Sequence, residues 1–220
     1  MLKHAGTTCI KAITALFNRC LVSGQTPKQW KHSRIYPIPK RNTFDGDLNL
    51  THPISLIEHI RKVYTKIITN RISNIFSKHS ILSPYNYVTL PNNCTSTPIH
   101  ILNNITEDAL CNQKTIWLLS QDMSKAYDSV NLNLLQHSLQ RLALPSSIIN
   151  TIINLFTNRQ NQVITNLGLT PSYPILNGID QGETITLSCG EFTMTHSFYT
   201  FTITLTVILQ KFLGQLILKI

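Results

Sequence analysis

The chain is short of charged residues, and acidic side chains are especially scarce. Charged residues make up 13% of its 220 residues, with 10 Asp and Glu against 19 Lys and Arg. The net charge of +9 at pH 7 favours a polyanionic partner, with nucleic acid first and an anionic membrane surface second. The hydrophobic content of 42% is still enough for one sizeable core or one large domain.

Close cysteine pairs are also lacking. The eight histidines show no ligand spacing near the cysteines. The cysteines form an odd set of five without a C-x-x-C string: Cys9, Cys20, Cys94, Cys111 and Cys189. This spacing argues against a zinc site. Unpaired cysteines are typical of a reducing compartment, so we expect an intracellular protein, with the choice between nucleus and cytoplasm left open.

Neither end of the chain reads as a targeting or membrane segment. Lys11 and Arg19 interrupt the first apolar stretch, and no small-residue cleavage site follows it, which argues against a signal peptide. Residues 192–209 contain no Asp, Glu, Lys or Arg, but residues 201–207 alternate apolar residues with Thr. That alternation has the period of a strand, so a membrane span is not favoured.

Periodic apolar residues predict a mixture of helices and strands. Recurrence every three or four residues predicts five helices: 10–21, 57–76, 99–110, 132–142 and 148–156. Short apolar runs predict three strands, at 116–119, 163–165 and 173–176. A further extended stretch is predicted at 30–39 and a loop at 41–52. Helices around an isolated strand and a late hairpin predict an α+β fold.

The predicted strand at 116–119 leads directly into Asp122. A carboxylate at a strand end is well placed to hold Mg²⁺, which prefers oxygen ligands and keeps positions for water and phosphates. Asp128 follows six residues later, and its side chain could instead cap a helix that begins near Ser129. The spacing of the two aspartates alone does not decide between metal binding and capping.

The complete string SQDMSKAYDSV, residues 120–130, resembles the first palm motif of reverse transcriptases from non-LTR retrotransposons. The resemblance implies that Asp122 is the catalytic, metal-binding aspartate. It also implies that Tyr127 lies beneath the incoming sugar, where an aromatic ring excludes a 2′-hydroxyl. Asp128 matches the acidic residue that often follows this aromatic, and helix capping remains its default role.

A second string, GIDQGETIT at residues 178–186, is similar to the family's Gly-x-x-Gln-Gly motif, which lines the nucleotide site. The resemblance implies that Gln181 and Gly182 bind the nucleotide. Upstream, WKHSRIYPIPK and PISLI resemble the fingers segment of these enzymes. Arg34 and Lys40 are therefore candidates for phosphate contacts, which hold a polyanion without reading its sequence.

Several positions depart from the family pattern. His52 stands where the family usually has Arg before Pro-Ile-Ser, and residues 82–97 lack the usual Gly-Phe-Arg string. Leu187 replaces a usual Pro, and the similarity ends near Thr186. The family's two adjacent palm aspartates are absent, since residues 181–220 contain no Asp.

The resemblance implies a right-hand polymerase core with fingers and a partial palm whose sheet is incomplete. We expect a reverse transcriptase domain at 1–186, truncated at both ends, and a divergent Thr-rich tail at 187–220 that suggests a frameshift. The implied function is that of an RNA-directed DNA polymerase fragment acting on RNA template, DNA primer and deoxynucleotides with Mg²⁺. We expect it to be inactive for lack of the paired aspartates. The alternative is a non-catalytic remnant that still binds nucleic acid.

Overall fold

A computed structural model describes residues 5–40, 46–47, 50–81, 87, 96–116, 126–183, 185–186 and 189. The helices of these residues are α1 Thr7–Ser23, α2 His59–Lys78, α3 Ser96–Cys111, α4 Leu132–Arg141 and α5 Ser146–Phe156, with a 3-10 turn at Lys28–Lys31. The strands are β1 His32–Pro39, β2 Thr51–Leu56, β3 Arg159–Thr165, β4 Gly168–Leu169 and β5 Tyr173–Ile175.

Two helix ends follow directly from local chemistry. α1 ends at Gly24, which adopts φ +67° and donates its N–H to the Cys20 carbonyl at 2.9 Å. α4 begins after Asn131, whose side-chain oxygen accepts hydrogen bonds from the backbone N–H groups of Asn133 and Leu134. The prediction that Asp128 caps this helix is therefore wrong, because Asp128 lies in the exposed turn before it.

The strands form one open, mixed sheet. Its order is β2-β1-β3-β4, and β5 also pairs with β3. β1 runs antiparallel to β2 and parallel to β3, and β3 runs antiparallel to both β4 and β5. Because side chains alternate along a strand, Ser33 and Ile35 face one side of the sheet, and Arg34 and Tyr36 face the other. The mixture of helices with a partial open sheet confirms the α+β prediction.

The main core lies between α1, α2, α4 and α5. Leu135, Leu139, Ile152 and Leu155 are fully buried in it. Removing such a side chain from water contributes about 1.5–3 kcal/mol to stability. Val130, Ile179 and Ile185 belong to the same core, so the segments around the two candidate motifs pack against these helices.

The buried face of α2 does not coincide with its apolar residues. Ile67 and Ile75 are 39% and 51% exposed, whereas Arg61, Thr65 and Thr69 are buried. The two threonine hydroxyls donate to backbone carbonyls within the helix, which satisfies them without water. Arg61 is buried because two carboxylates meet it from another part of the chain, and apolar periodicity carries no information on such partners.

Other predicted elements fared differently. The helices at 10–21, 57–76, 132–142 and 148–156 are confirmed, and α3 begins three residues before its predicted start. β2 was predicted partly as loop, and it forms by pairing with β1. Most of the predicted strand at 116–119 lies outside the described residues. Among the helices that the structure describes, none combines the length and apolar character needed to cross a membrane.

Candidate functional site

The loop from Gly178 to Glu183, which we call the Gln181 loop, follows β5 and contains two glycines with positive φ. The angles are +81° at Gly178 and +108° at Gly182, which side chains with a Cβ rarely adopt. A Cβ on Gly182 would lie 3.3 Å from the Ser55 carbonyl oxygen, so the loop passes close to β2. Gln181 lies between the two glycines and is half-buried.

Backbone hydrogen bonds join this loop to the turn at residues 126–129, which we call the Tyr127 turn. Ile179 donates its N–H to the Tyr127 carbonyl at 2.9 Å, and Gly178 donates to the Val130 carbonyl at 3.0 Å. A Cβ on Gly178 would lie 2.8 Å from the Asp128 Cα, so only glycine permits this approach. Described parts of the two candidate motifs are therefore in direct contact.

A cavity of ≈ 90 Å³ lies where the loop, the turn and the sheet meet. Its lining includes Asp128 and Gln181 from the two candidate motifs and Ile35, Ser55 and Asn161 from the sheet. A liquid water occupies about 30 Å³, so the cavity holds a few waters or one polar group. Pockets for whole small molecules measure about 300 Å³ or more, so this cavity alone is too small for one.

Beneath the loop, Asp180 is held between two buried arginines. Its Oδ2 accepts from Arg61 Nη2 at 2.8 Å, and its Oδ1 accepts from Arg159 Nη1 at 2.6 Å. The exposed fractions of Arg61, Arg159 and Asp180 are 0%, 3% and 3%. Charge-assisted hydrogen bonds of this kind are stronger than neutral ones, and burial removes the competition from water.

Arg159 also holds the loop backbone. Its Nη2 donates to the carbonyl of Asn177 at 3.0 Å and to that of Gly178 at 2.6 Å. The Thr186 hydroxyl donates to the Asp180 carbonyl at 2.7 Å. Three carbonyls within four consecutive residues thus accept from side chains, which leaves the loop little freedom to move.

Glu183 completes a group that we call the buried ion cluster: Arg61, Arg159, Asp180 and Glu183. The Glu183 carboxylate meets Arg61 side-on, with Oε1 2.8 Å from Nε and Oε2 3.1 Å from Nη2. The closer contact is an ion pair whose angle departs from that of a good hydrogen bond. The Phe156 ring centroid lies 5.9 Å from the Arg61 Cζ and 5.8 Å from the Arg159 Cζ. Two positive and two negative charges balance within the cluster.

Burial raises the pKa of Glu183 above its ordinary value of 4.5. The cause is desolvation, which disfavours the carboxylate, and the Arg61 charge offsets it in part. Asp180 raises the pKa further and Lys62 lowers it. Burial also raises the pKa of the Cys189 thiol, and the Glu183 charge adds to this rise.

We expect Glu183 to make the folded chain less stable as the pH rises above 4.5. Because its pKa is higher in the folded state, its protonated form contributes stability below that pH. The contribution is lost as the pH rises through the raised value. Urea unfolding of the wild type and of Glu183→Gln between about pH 4 and pH 8 measures the difference. Equal pH dependence of the two proteins would contradict this assignment.

The cluster was missed by reasoning from the sequence. One signal was present, because Arg61 lies in register with Tyr64, Ile68 and Ile72 on the buried face of α2. A charged residue at such a position requires a buried partner. The sequence offers no means of identifying Asp180, which is 119 residues away.

The two predicted phosphate contacts lie near opposite ends of β1. Arg34 is exposed on the face of β1 opposite to Ile35, and it lines a second cavity of ≈ 420 Å³. Lys40 follows the other end of β1, about 20 Å farther along at 3.3 Å per residue. The structure therefore brings Tyr127 close to the Gln181 loop, and it places Arg34 on the other face of the sheet.

Asp122 lies outside the described residues, so its relation to the loop stays a prediction. Within the part of the chain that the structure describes, no three acidic, His or Cys side chains are grouped to hold a metal ion. Asp180 and Glu183 are engaged by Arg61, and among the described residues that line the cavity Asp128 is the one exposed acidic residue. These residues do not make a magnesium site by themselves.

Comparison with known proteins matches residues 38–215 to the family described as reverse transcriptase (RNA-dependent DNA polymerase). The retrovirus-related Pol polyprotein from type-1 retrotransposable element R2 of Nasonia vitripennis is 26% identical over 156 residues. The probable RNA-directed DNA polymerases from transposon BS and transposon X-element of Drosophila melanogaster are 27% and 25% identical over 134 and 189 residues. The three alignments cover 70%, 59% and 84% of this chain, and 14%, 14% and 20% of the relatives. The chain thus spans a fifth or less of the length of these curated relatives.

Proposed function

The chain belongs to the reverse transcriptase (RNA-dependent DNA polymerase) family of non-LTR retrotransposons, and on this premise we propose that it forms polymerase fingers and part of a palm. The reaction of such a site is template-directed addition of deoxynucleotides to a primer 3′ end. The observation that supports this proposal best is the contact between the Tyr127 turn and the Gln181 loop. Two motifs far apart in the sequence thereby border one cavity.

Each candidate residue has a proposed role. Gln181 offers an amide donor and acceptor to the nucleotide, and Gly182 allows its close approach. The Tyr127 ring selects against a 2′-hydroxyl on the sugar. Arg34 and Lys40 bind phosphates of the RNA template or DNA primer, which agrees with the net charge of +9.

Asp122 is the proposed ligand for Mg²⁺. When bound, the ion stabilises charge on the attacking and leaving oxygens of phosphoryl transfer. The described residues do not complete its coordination. The roles that we propose for them are binding and positioning. Nucleotide and primer are held by hydrogen bonds and charge, and the rigid loop fixes the direction of Gln181.

We propose that the 220-residue chain by itself binds primer–template without extending it. The reason is that two-metal catalysis needs further carboxylates, and residues 181–220 contain no Asp. A domain boundary after residue 186, with a frameshifted tail beyond it, is part of the same proposal. Reading the nucleotide sequence after codon 186 in the other two frames tests it, since an Asp-Asp string is expected in one of them.

Binding to an RNA template annealed to a DNA primer tests the proposed function. We expect log Kd to rise steeply with log salt, because displaced cations return to the phosphates. Arg34→Ala and Lys40→Ala are each expected to reduce the salt slope by about 1. Lys11→Ala, an exposed substitution on α1, is the matched control and should leave the slope unchanged. Binding that does not respond to salt would contradict the proposal.

Primer extension with Mg²⁺ and deoxynucleotides distinguishes the remaining alternatives. Binding without extension supports the non-catalytic form of the proposal. Extension of the primer by the purified chain would overturn it, and would show that Asp122 acts with carboxylates other than a palm Asp-Asp pair.

A further inference from the structure

Gln181 is the residue next to Asp180, and the buried ion cluster lies directly beneath it. Its half-buried side chain has no hydrogen-bond partner among the described residues, so its amide is available to a ligand. Everything that fixes its direction acts on the neighbouring backbone and on the Asp180 carboxylate. Of the groups that hold this backbone and carboxylate, Arg159 and Asp180 also line the cavity, each with only 3% of its surface exposed, whereas Arg61 does not line it.

The two arginines come from separate elements and approach from different parts of the fold. Arg61 belongs to α2, and Arg159 is the first residue of β3. Arg61 also donates to the Trp30 carbonyl, which ties it to the turn before β1. The two arginines thus attach the Gln181 loop both to a helix and to the sheet.

Stability alone does not account for such an arrangement. A buried ion cluster is often no more stabilising than apolar residues of the same size, because desolvation costs offset the attraction. What four charged groups supply beyond apolar packing is a set of directional hydrogen bonds and ion pairs that must all be satisfied in one arrangement. Arginine suits this role because its planar fork holds a carboxylate and backbone carbonyls together, which a lysine cannot do.

We propose that Arg61 and Arg159 are positioning residues, which act through Asp180 to hold the Gln181 amide towards the bound deoxynucleotide. The inference rests on the proposed function for its ligand. It assigns no contact between either arginine and the nucleotide. A change in either arginine should therefore alter nucleotide affinity only as long as Gln181 is present.

Arg159→Lys tests the positioning directly, because it keeps the charge and removes the fork. Hydrogen exchange of the amides of residues 177–183 is expected to become at least about tenfold faster, while exchange in α5 is unchanged. Arg19→Lys, the same substitution at an exposed position on α1, is the control and should change neither. Unchanged exchange in this loop would overturn the proposal whatever the chain binds.

A double-mutant cycle then tests whether positioning reaches the ligand. Affinity for a deoxynucleoside triphosphate, with primer–template bound, is measured for wild type, Arg159→Lys, Gln181→Ala and the double variant. We expect Arg159→Lys to weaken binding about tenfold in the wild type and to have no further effect after Gln181→Ala. Equal effects in both backgrounds would overturn the inference and leave the proposed function intact.

The remaining outcomes are also decisive. If the wild type binds no nucleotide, the proposed function fails, and loop exchange still decides whether the arginines position the loop. If Arg159→Lys does not fold, Asp180→Asn, which keeps the side-chain size, replaces it in both measurements. If that variant does not fold either, the cluster determines stability rather than position, and the proposal is overturned.

Discussion

Replacing Arg61 with alanine is expected to lower the free energy of unfolding by about 3–5 kcal/mol. The guanidinium is fully buried and contacts Asp180 and Glu183, so its removal leaves both carboxylates without their shared partner. A buried carboxylate without a counter-charge either remains costly or takes up a proton. Urea unfolding near pH 7, followed by circular dichroism, measures the loss.

Lys66→Ala is the matched control, because Lys66 is exposed on the same helix. Its effect is expected to stay within about 0.5 kcal/mol, as is usual for surface positions. An Arg61→Ala variant as stable as the control would show that this guanidinium is not the partner of the two acids.

Gly178→Ala is expected to be more destabilising than the same substitution at Gly168. Both glycines have positive φ, +81° and +118°, so both variants carry backbone strain of about 1–3 kcal/mol. Only Gly178 is also crowded, since its Cβ would lie 2.8 Å from the Asp128 Cα and 2.9 Å from the Tyr127 carbonyl oxygen. That collision is expected to cost about 1–3 kcal/mol more, or to force the loop away from the turn.

Gly168 serves as the control because a Cβ there meets nothing within 4 Å. Unfolding free energies of the two variants, compared with the wild type, isolate the effect of the close approach. Equal losses would mean that the Tyr127 turn and the Gln181 loop are not in contact. The shared cavity on which the proposed nucleotide site depends would then be absent.

Helix positions were predictable because the information for them is local. The apolar repeat at residues 57–76 predicts α2, and Gly24 at the end of α1 has the left-handed angle that favours glycine. The choice of cap at α4 was not predictable in the same way. Asp and Asn are both good N-caps, so Asp128 and Asn131 were both candidates. In the structure Asp128 lies in a turn whose backbone contacts Gly178, and Asn131 is the residue that caps α4.

Sheet order was beyond the sequence because pairing joins distant segments. β1 pairs with β2 in an antiparallel hairpin and with β3 in parallel, and the residues that connect β1 to β3 include α2, α4 and α5. β2 contains Pro53 and a mixed apolar pattern, so its own residues gave no clear strand signal. Its pairing with β1 supplies the hydrogen bonds that its sequence does not predict.

The helices, the basic charge and the family motifs could be read from the amino-acid sequence, since each depends on residues that are neighbours along the chain. It also marked Gln181 and Gly182 as candidates through the Gly-x-x-Gln-Gly string. The buried ion cluster beneath that string could be identified only from the folded chain. A buried charge is stable only with a partner, and the fold selects which distant residues become partners.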